Sequence, residues 1–210
     1  VSALWDDPAQ HPGWPATLQH GDVELHPLRR SDAEAWSRLR RENEAWLAPW
    51  EPTAPAGWAA RHTPQVYRAM RRAAARRARL GSALPFAVRH RGRLVGQVTV
   101  DNVVRGALRS AHLGYWIDRG AAGQGVASLA VALVCDHAFG PVGLHRLQAD
   151  VRPENGPSRR LVQRLGFREE GLFRGYLDID GDWRDHIGHA LLSTDLPGSV
   201  VARWQRSAPS

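Results

Sequence analysis

The sequence predicts an α/β (α+β) domain on a mixed, mostly antiparallel sheet flanked by helices, and three observations carry that prediction. Period-two segments follow one another in the first half, a strand-helix-strand unit comes next, and a hairpin closes the domain. Strands joined by short turns pair antiparallel, whereas a strand reached through a helix pairs parallel.

Val23 to Leu28 alternates apolar and polar residues and reads as a first strand. Ser31 and Glu34 then stand at the spacing of a capping box, so a helix should start there and run through Ala35, Trp36 and Leu39. A second helical piece, about Glu42 to Leu47, stops before Pro49 and Pro52. Thr63-Pro64 opens another helix that reaches about Leu80 and ends at Gly81. Val66, Met70, Ala73 and Leu80 are its candidate inward face, and Arg68, Arg71, Arg72, Arg76, Arg77 and Arg79 cover a broad outer one. That arginine face is either solvated or a docking surface for ribosome or RNA; the sequence leaves both open.

From Leu84 the period switches to two. Phe86 to His90 and Arg93 to Val100 flank an Arg91-Gly92 turn, and Ala111 to Asp118 is a further strand. Apolar residues recur at helical spacing from Ala121 to Gly140, with Cys135 among them as a packed small side chain. Leu144 to Arg152 reads as a strand, Asn155 to Leu165 as a helix and Phe167 to Gly171 as a short extended piece. Two last strands, Leu172 to Ile179 and Trp183 to Leu192, meet at Asp180-Gly181, a strong hairpin signal. The expected organisation is an N-terminal extension over 1–22, one domain over 23–195, and a tail over 196–210 loosened by Pro197, Gly198 and Pro209.

Composition narrows the function. The chain is 43% apolar and 23% charged, with no apolar run long enough for a membrane span and no signal-peptide pattern at its start. One cysteine excludes an intramolecular disulfide framework and a multi-thiolate metal site, so a cytoplasmic location is expected. Ten histidines lack ligand spacing, and no metal is expected. The net charge of +7 suits phosphates or an acidic partner, but without a recognised binding module it does not call for nucleic acid.

The chemistry concentrates in two segments. In Gly114-Tyr-Trp-Ile-Asp118 followed by Gly120-Ala-Ala-Gly-Gln-Gly-Val-Ala127, a strand runs through a loop of small residues into a helix. Unpaired N–H groups there face one space at the positive end of the helix dipole, which makes an anion site. Gly125 is followed by Val126 and Ala127 rather than Lys and Ser or Thr, so the loop is no P-loop, and its place after antiparallel strands does not suit a dinucleotide fold. Taken alone it stands equally for phosphate binding and for a simple connection.

The second segment runs Leu144-His-Arg-Leu-Gln-Ala-Asp-Val-Arg-Pro-Glu-Asn-Gly-Pro-Ser-Arg-Arg-Leu-Val-Gln-Arg-Leu-Gly-Phe-Arg-Glu-Glu-Gly171. It resembles, nearly position by position, the second signature block of the GNAT acetyltransferase superfamily. Together with Trp46-Leu-Ala-Pro-Trp-Glu-Pro52 and Gly181-Asp-Trp-Arg-Asp-His186, it looks like the RimJ/RimL-type ribosomal-protein N-acetyltransferase branch, with a likeness covering about Val23 to Leu192.

The resemblance implies a twisted sheet with a V-shaped split that holds acetyl-CoA as cosubstrate. Its pantetheine would pair with the backbone at Trp116 and Ile117, and its pyrophosphate would meet the N–H groups of Gly123, Gln124, Gly125, Val126 and Ala127. Asn155 would lie beside the pantetheine and Ser158 near the sulfur. Ser158 and Tyr176 are the candidate catalytic residues, as proton donors to the leaving thiolate; a helix cap and a core aromatic are their plain alternatives. Trp50 is the candidate lip of the acceptor channel. Two places depart from the branch: Ala122 stands where Gln or Arg usually begins the loop, and Leu177 where a glutamate can act through water. The general base is left unassigned.

The expected acceptor is a primary amine, first a protein N-terminal α-amine and second a small-molecule amine. A homodimer is in keeping with the superfamily. The competing class is a GNAT-fold binding module for RNA or protein, with catalysis lost at Ala122 and Leu177.

Overall fold

A computed structural model of the protein describes residues 13–195 and 197–207. Residues 1–12 of the expected extension, and Leu196 and 208–210 of the expected tail, lie outside them. Among the described residues one sheet of eight strands organises the fold, in the order β1-β2-β3-β4-β5-β6-β8-β7. β1 (Leu18–His20) and β2 (Val23–Pro27) form a hairpin, and β3 (Ala83–His90) and β4 (Arg93–Val104) a second. β5 (Ser110–Ile117) pairs antiparallel with β4, and β6 (Arg146–Val151) pairs parallel with β5. β7 (Arg168–Ile179) and β8 (Asp182–Leu192) make the last hairpin, with β8 inserted beside β6. Among the described residues the strand-helix-strand crossover is the sole parallel junction, as expected for its long connection.

The two predicted hairpin turns form where backbone chemistry allows them. Arg91 and Gly92 have φ of 51° and 75°, and Asp180 and Gly181 have 54° and 80°, the left-handed pairs of turns that match strand twist. β7 is continuous from Arg168, with irregular register at Glu169/Gly171 and Phe173/Leu177, so the expected break at Gly171 is a bulge within one strand.

Helices cover both faces. α1 (Ala33–Glu42), α2 (Glu44–Leu47), α3 (Trp58–Arg61) and α4 (Pro64–Arg79) belong to one side, where Leu28, Trp36, Leu39, Tyr67, Ala87 and Leu94 form a cluster. α5 (Val126–Phe139), α6 (Gly156–Leu165) and α7 (Val200–Ser207) lie on the other, over a larger core containing Leu25, Phe86, Val100, Leu147 and Leu191. α5 is buried almost all round, as its nearly unbroken apolar sequence requires.

Further expectations change, the first being that the expected 1–22 extension contributes β1 to the sheet. The Ser31–Glu34 capping box does not form; Asp32 accepts from the Arg29 N–H (2.8 Å) and from Arg89 (2.7 Å), and α1 begins after it. α4 turns Tyr67, Met70, Ala74 and Ala78 inward, leaving Val66 38% and Leu80 59% exposed, because the single tyrosine buries more area and its hydroxyl reaches the Arg29 carbonyl at 2.9 Å. The fifth helix starts at Val126 rather than Ala121, since Gly123 and Gly125 take φ of 77° and 78°. The tail carries α7, whose Val200 and Val201 N–H groups donate to the Asp136 carboxylate and whose Val200 is buried. On the arginine face, Arg68 pairs with Glu34 and Arg77 with Asp101. No helix among the described residues is long and apolar enough to cross a membrane.

Candidate active site

β5 and β6 pair over three positions only, Ser110 with Arg146, Ala111 with Leu147 and His112 with Gln148. Beyond them β5 stays paired to β4 as far as Ile117, and β6 to β8 as far as Val151, so the two strands part and open a V in the middle of the sheet. The Asp118 N–H donates to the Val95 carbonyl at 2.7 Å. Backbone groups alternate along a strand, so Trp116 also faces β4, while Tyr115 and Ile117 turn theirs into the gap. Trp116 therefore does not offer its backbone to the split; Ile117 does, although its carbonyl already accepts from Trp46 Nε1 at 3.1 Å.

The glycine loop closes one end of this gap. After a 3₁₀ turn at Arg119–Ala121, Ala122 is extended and Gly125 stands at the N-cap of α5 in a left-handed conformation without a side-chain cap. Among the described residues no carbonyl or side chain thus meets the first N–H groups of α5. A Cβ placed on Gly123 would meet nothing within 4 Å, so the rim is open, and the Gln124 amide folds back onto the Gly120 carbonyl at 2.8 Å. A loop with bare N–H groups, exposed at Gly123 and Gln124 and half-exposed at Gly125, fits a pyrophosphate through the main chain, without a polar side chain at Ala122.

Asn155, rather than Ser158, caps α6: its Oδ1 accepts from the Ser158 N–H at 3.2 Å. The Ser158 hydroxyl is left to lie 2.6 Å from the Tyr115 hydroxyl across the split. Burial pushes the Tyr115 phenol far up, so both hydroxyls hold their protons near neutrality. Tyr115 was not singled out from the sequence, although its place one residue before Trp116 in the same strand marks it.

The opposite face of the sheet carries a second polar group. Ala111, Leu113, Leu147, Ala149 and Val151 point into the larger core, so His112, Gln148 and Asp150, which alternate with them, face the other way. Asp150 Oδ2 lies 3.2 Å from His112 Nδ1 and accepts from the Tyr176 hydroxyl at 3.2 Å, and Oδ1 accepts from Gln148 Nε2 at 2.9 Å. Burial opposes the charge, yet the donors from His112, Gln148 and Tyr176 outweigh it and hold the Asp150 carboxyl below the usual carboxylate range. Burial and then the Asp150 charge push the Tyr176 phenol up. Among the described residues no hydrogen bond joins Tyr176 to Ser158: the two candidate acids stand with different partners.

Trp50 is half-buried, with the Arg152 guanidinium over its ring at 5.4 Å. Leu177 is 38% exposed beside the bulge of β7 and offers no polar atom to the split. Among the described residues no group of three or more His, Cys, Asp or Glu is placed to hold a metal ion.

The acetyltransferase (GNAT) domain matches residues 22–168. The [ribosomal protein uS5]-alanine N-acetyltransferase of Escherichia coli (strain K12) is 33% identical over 178 residues, 80% of this chain and 87% of that protein. A probable N-acetyltransferase of Bacillus subtilis (strain 168) is 42% identical over 103 residues, 49% of this chain and 57% of that protein. The solved structure of Mycobacterium smegmatis RimJ in complex with CoA-disulfide superposes with a TM-score of 0.92 at 44% identity, covering 94% of this chain and 97% of that one. The chain belongs to the GNAT acetyltransferase family and is an acetyl-CoA-dependent N-acetyltransferase.

Proposed function

We propose that the enzyme acetylates the N-terminal α-amine of a protein, of the ribosomal-protein type. The observation that carries this reading is its likeness, over most of both chains, to a [ribosomal protein uS5]-alanine N-acetyltransferase. The split supplies a physical complement: a carboxylate, Asp150, on the face opposite α5 and α6, suited to an ammonium group.

Acetyl-CoA lies along the gap in this reading, its pyrophosphate on the N–H groups of Gly123, Gln124, Gly125, Val126 and Ala127 and its pantetheine against Tyr115 and Ile117, beside Asn155. The acceptor enters from the other face. Asp150, kept ionised by its three donors, holds the ammonium as a counter-charge, and the first amine proton leaves to solvent by way of the adjoining His112, whose side chain is 40% exposed. The neutral amine attacks the thioester carbon and the C–N bond forms; as the C–S bond breaks, the departing thiolate takes the Ser158 proton, and the proton that the nitrogen then sheds restores the Ser158 hydroxyl and its Tyr115 partner, so that one proton in all passes to solvent. Tyr176 holds Asp150 rather than serving as the acid. The one cysteine, buried Cys135, suits a reducing cytoplasm.

A panel of N-terminal peptides and small amines, incubated with the protein and acetyl-CoA and read by mass, tests the reading. Acetylated peptide α-amines are expected. Peptides left untouched while a small amine gains 42 Da, about one acetyl group, would overturn it.

A further inference from the structure

Arg40 is 3% exposed yet charged, an arrangement that needs a reason. Its guanidinium lies 4.9 Å from the ring centres of Trp58 and Trp116 and 5.8 Å from that of Trp36. Nη1 donates to Glu51 at 2.9 Å and Nη2 lies 3.1 Å from His62 Nε2. An apolar side chain of similar volume would fill a space between three tryptophans at least as favourably. What it could not do is grip Glu51.

Glu51 belongs to a segment that crosses the split. On the β5 side, Trp46 donates to the Ile117 carbonyl at 3.1 Å and Arg40 holds Glu51. On the β6 side, Arg152 donates to the Pro49 carbonyl at 2.7 Å and covers Trp50. At its far end Thr53 bonds the Asp178 backbone at 2.9 Å and carboxylate at 2.6 Å, and Pro52 bridges Ile179. Trp116 and Arg152 share the sheet face of His112 and Asp150 by alternation, so this crossing lies on the Asp150 side.

We propose that residues 46–53 form a fixed bridge across the acceptor side of the split, and that Arg40, by holding Glu51, is the positioning residue that sets the bridge against the peptide following the acceptor amine. The proposal rests on the reading that a polypeptide amine enters from the Asp150 face. The bridge is anchored at both arms by fixed partners and meets the cofactor's groove only where Trp46 bonds the Ile117 carbonyl, whereas Glu51 and its Arg40 partner stand on the acceptor side.

The test uses Glu51→Gln and Arg40→Lys, the second keeping the charge while losing the planar fork. Three quantities are read on each protein with acetyl-CoA bound: amide exchange of residues 46–53, KM for an N-terminal peptide, and, by calorimetry, the affinity for acetyl-CoA. Exchange over 46–53 is expected to quicken about tenfold with the strands unchanged, and peptide KM to rise about fivefold or more, while acetyl-CoA affinity stays within about twofold. Unaltered exchange, an unaltered peptide KM, or an equal loss of acetyl-CoA affinity overturns the proposal. A wild-type enzyme that acetylates no peptide defeats the N-terminal reading itself and, with it, the peptide role of the bridge; unaltered KM in the presence of working peptide turnover defeats the bridge alone.

Discussion

The Tyr115 and Ser158 hydroxyls, 2.6 Å apart, join the strand on one side of the split to the helix that follows the strand on the other. Since Asn155 already caps α6, this contact is the one use of the Ser158 side chain among the described residues. Ser158→Ala is expected to lower kcat by about 10²-fold and Tyr115→Phe by less, with acetyl-CoA affinity within about twofold. Steady-state rates beside calorimetry check this; full turnover in Ser158→Ala would remove the proton-donor role.

Asp150→Asn keeps the shape and removes the charge. A loss of about 10²-fold in kcat/KM for the acceptor is expected, with acetyl-CoA binding intact. The carboxyl already titrates below the usual range, so it sets no limb of the rate profile near neutrality; the variant lowers the whole curve rather than shifting its acid side. A shifted limb at undiminished maximum rate contradicts the assignment.

His62 gives a pH signature in stability. Burial, then the Arg40 charge, lower its pKa from 6.5 to about 4. On acidification the unfolded chain therefore binds the proton first, and stability is lost. Its contribution is full above about pH 6.5, declines toward about pH 4, and levels off once the folded imidazole is protonated too. Melting temperatures should fall across that window, and less steeply in His62→Gln; equal slopes would assign the fall to other groups.

Gly125 needs its left-handed backbone, and a Cβ there would lie 3.4 Å from Trp204. Gly125→Val is expected to cost about 1–2 kcal/mol of stability and to weaken acetyl-CoA binding by about tenfold or more through displaced N–H groups. Denaturant titration and calorimetry measure the two separately. Normal affinity in the variant would take the pyrophosphate away from this loop.

Asp136 accepts both opening N–H groups of α7, so Asp136→Ala is expected to cost about 1 kcal/mol and to free that helix first. Faster amide exchange confined to residues 200–207 is the readout; unaltered exchange there would show that buried Val200, the Ser199 hydroxyl on the Ala202 N–H and Arg203 on the Arg164 carbonyl hold α7 without Asp136.

The sequence by itself determined what lies along single elements. The hairpins at Arg91-Gly92 and Asp180-Gly181, the glycine loop opening α5 and the strand-helix unit from Leu144 to Leu165 are local patterns, because turn dihedrals and side-chain periods are properties of neighbouring residues. Local spacing could not choose between Tyr67 and Val66 for the inner face of α4, nor show three-residue β1 or the docking of α7, where tertiary burial outweighs pattern. The tertiary structure alone decided the site's partners. Asp150 meets His112 and Tyr176 across separations of 38 and 26 residues, and Ser158 meets Tyr115 across 43. Those meetings follow from where two parallel strands stop pairing: the parting at His112 and Gln148 sets which side chains border the gap, and from which face each does so.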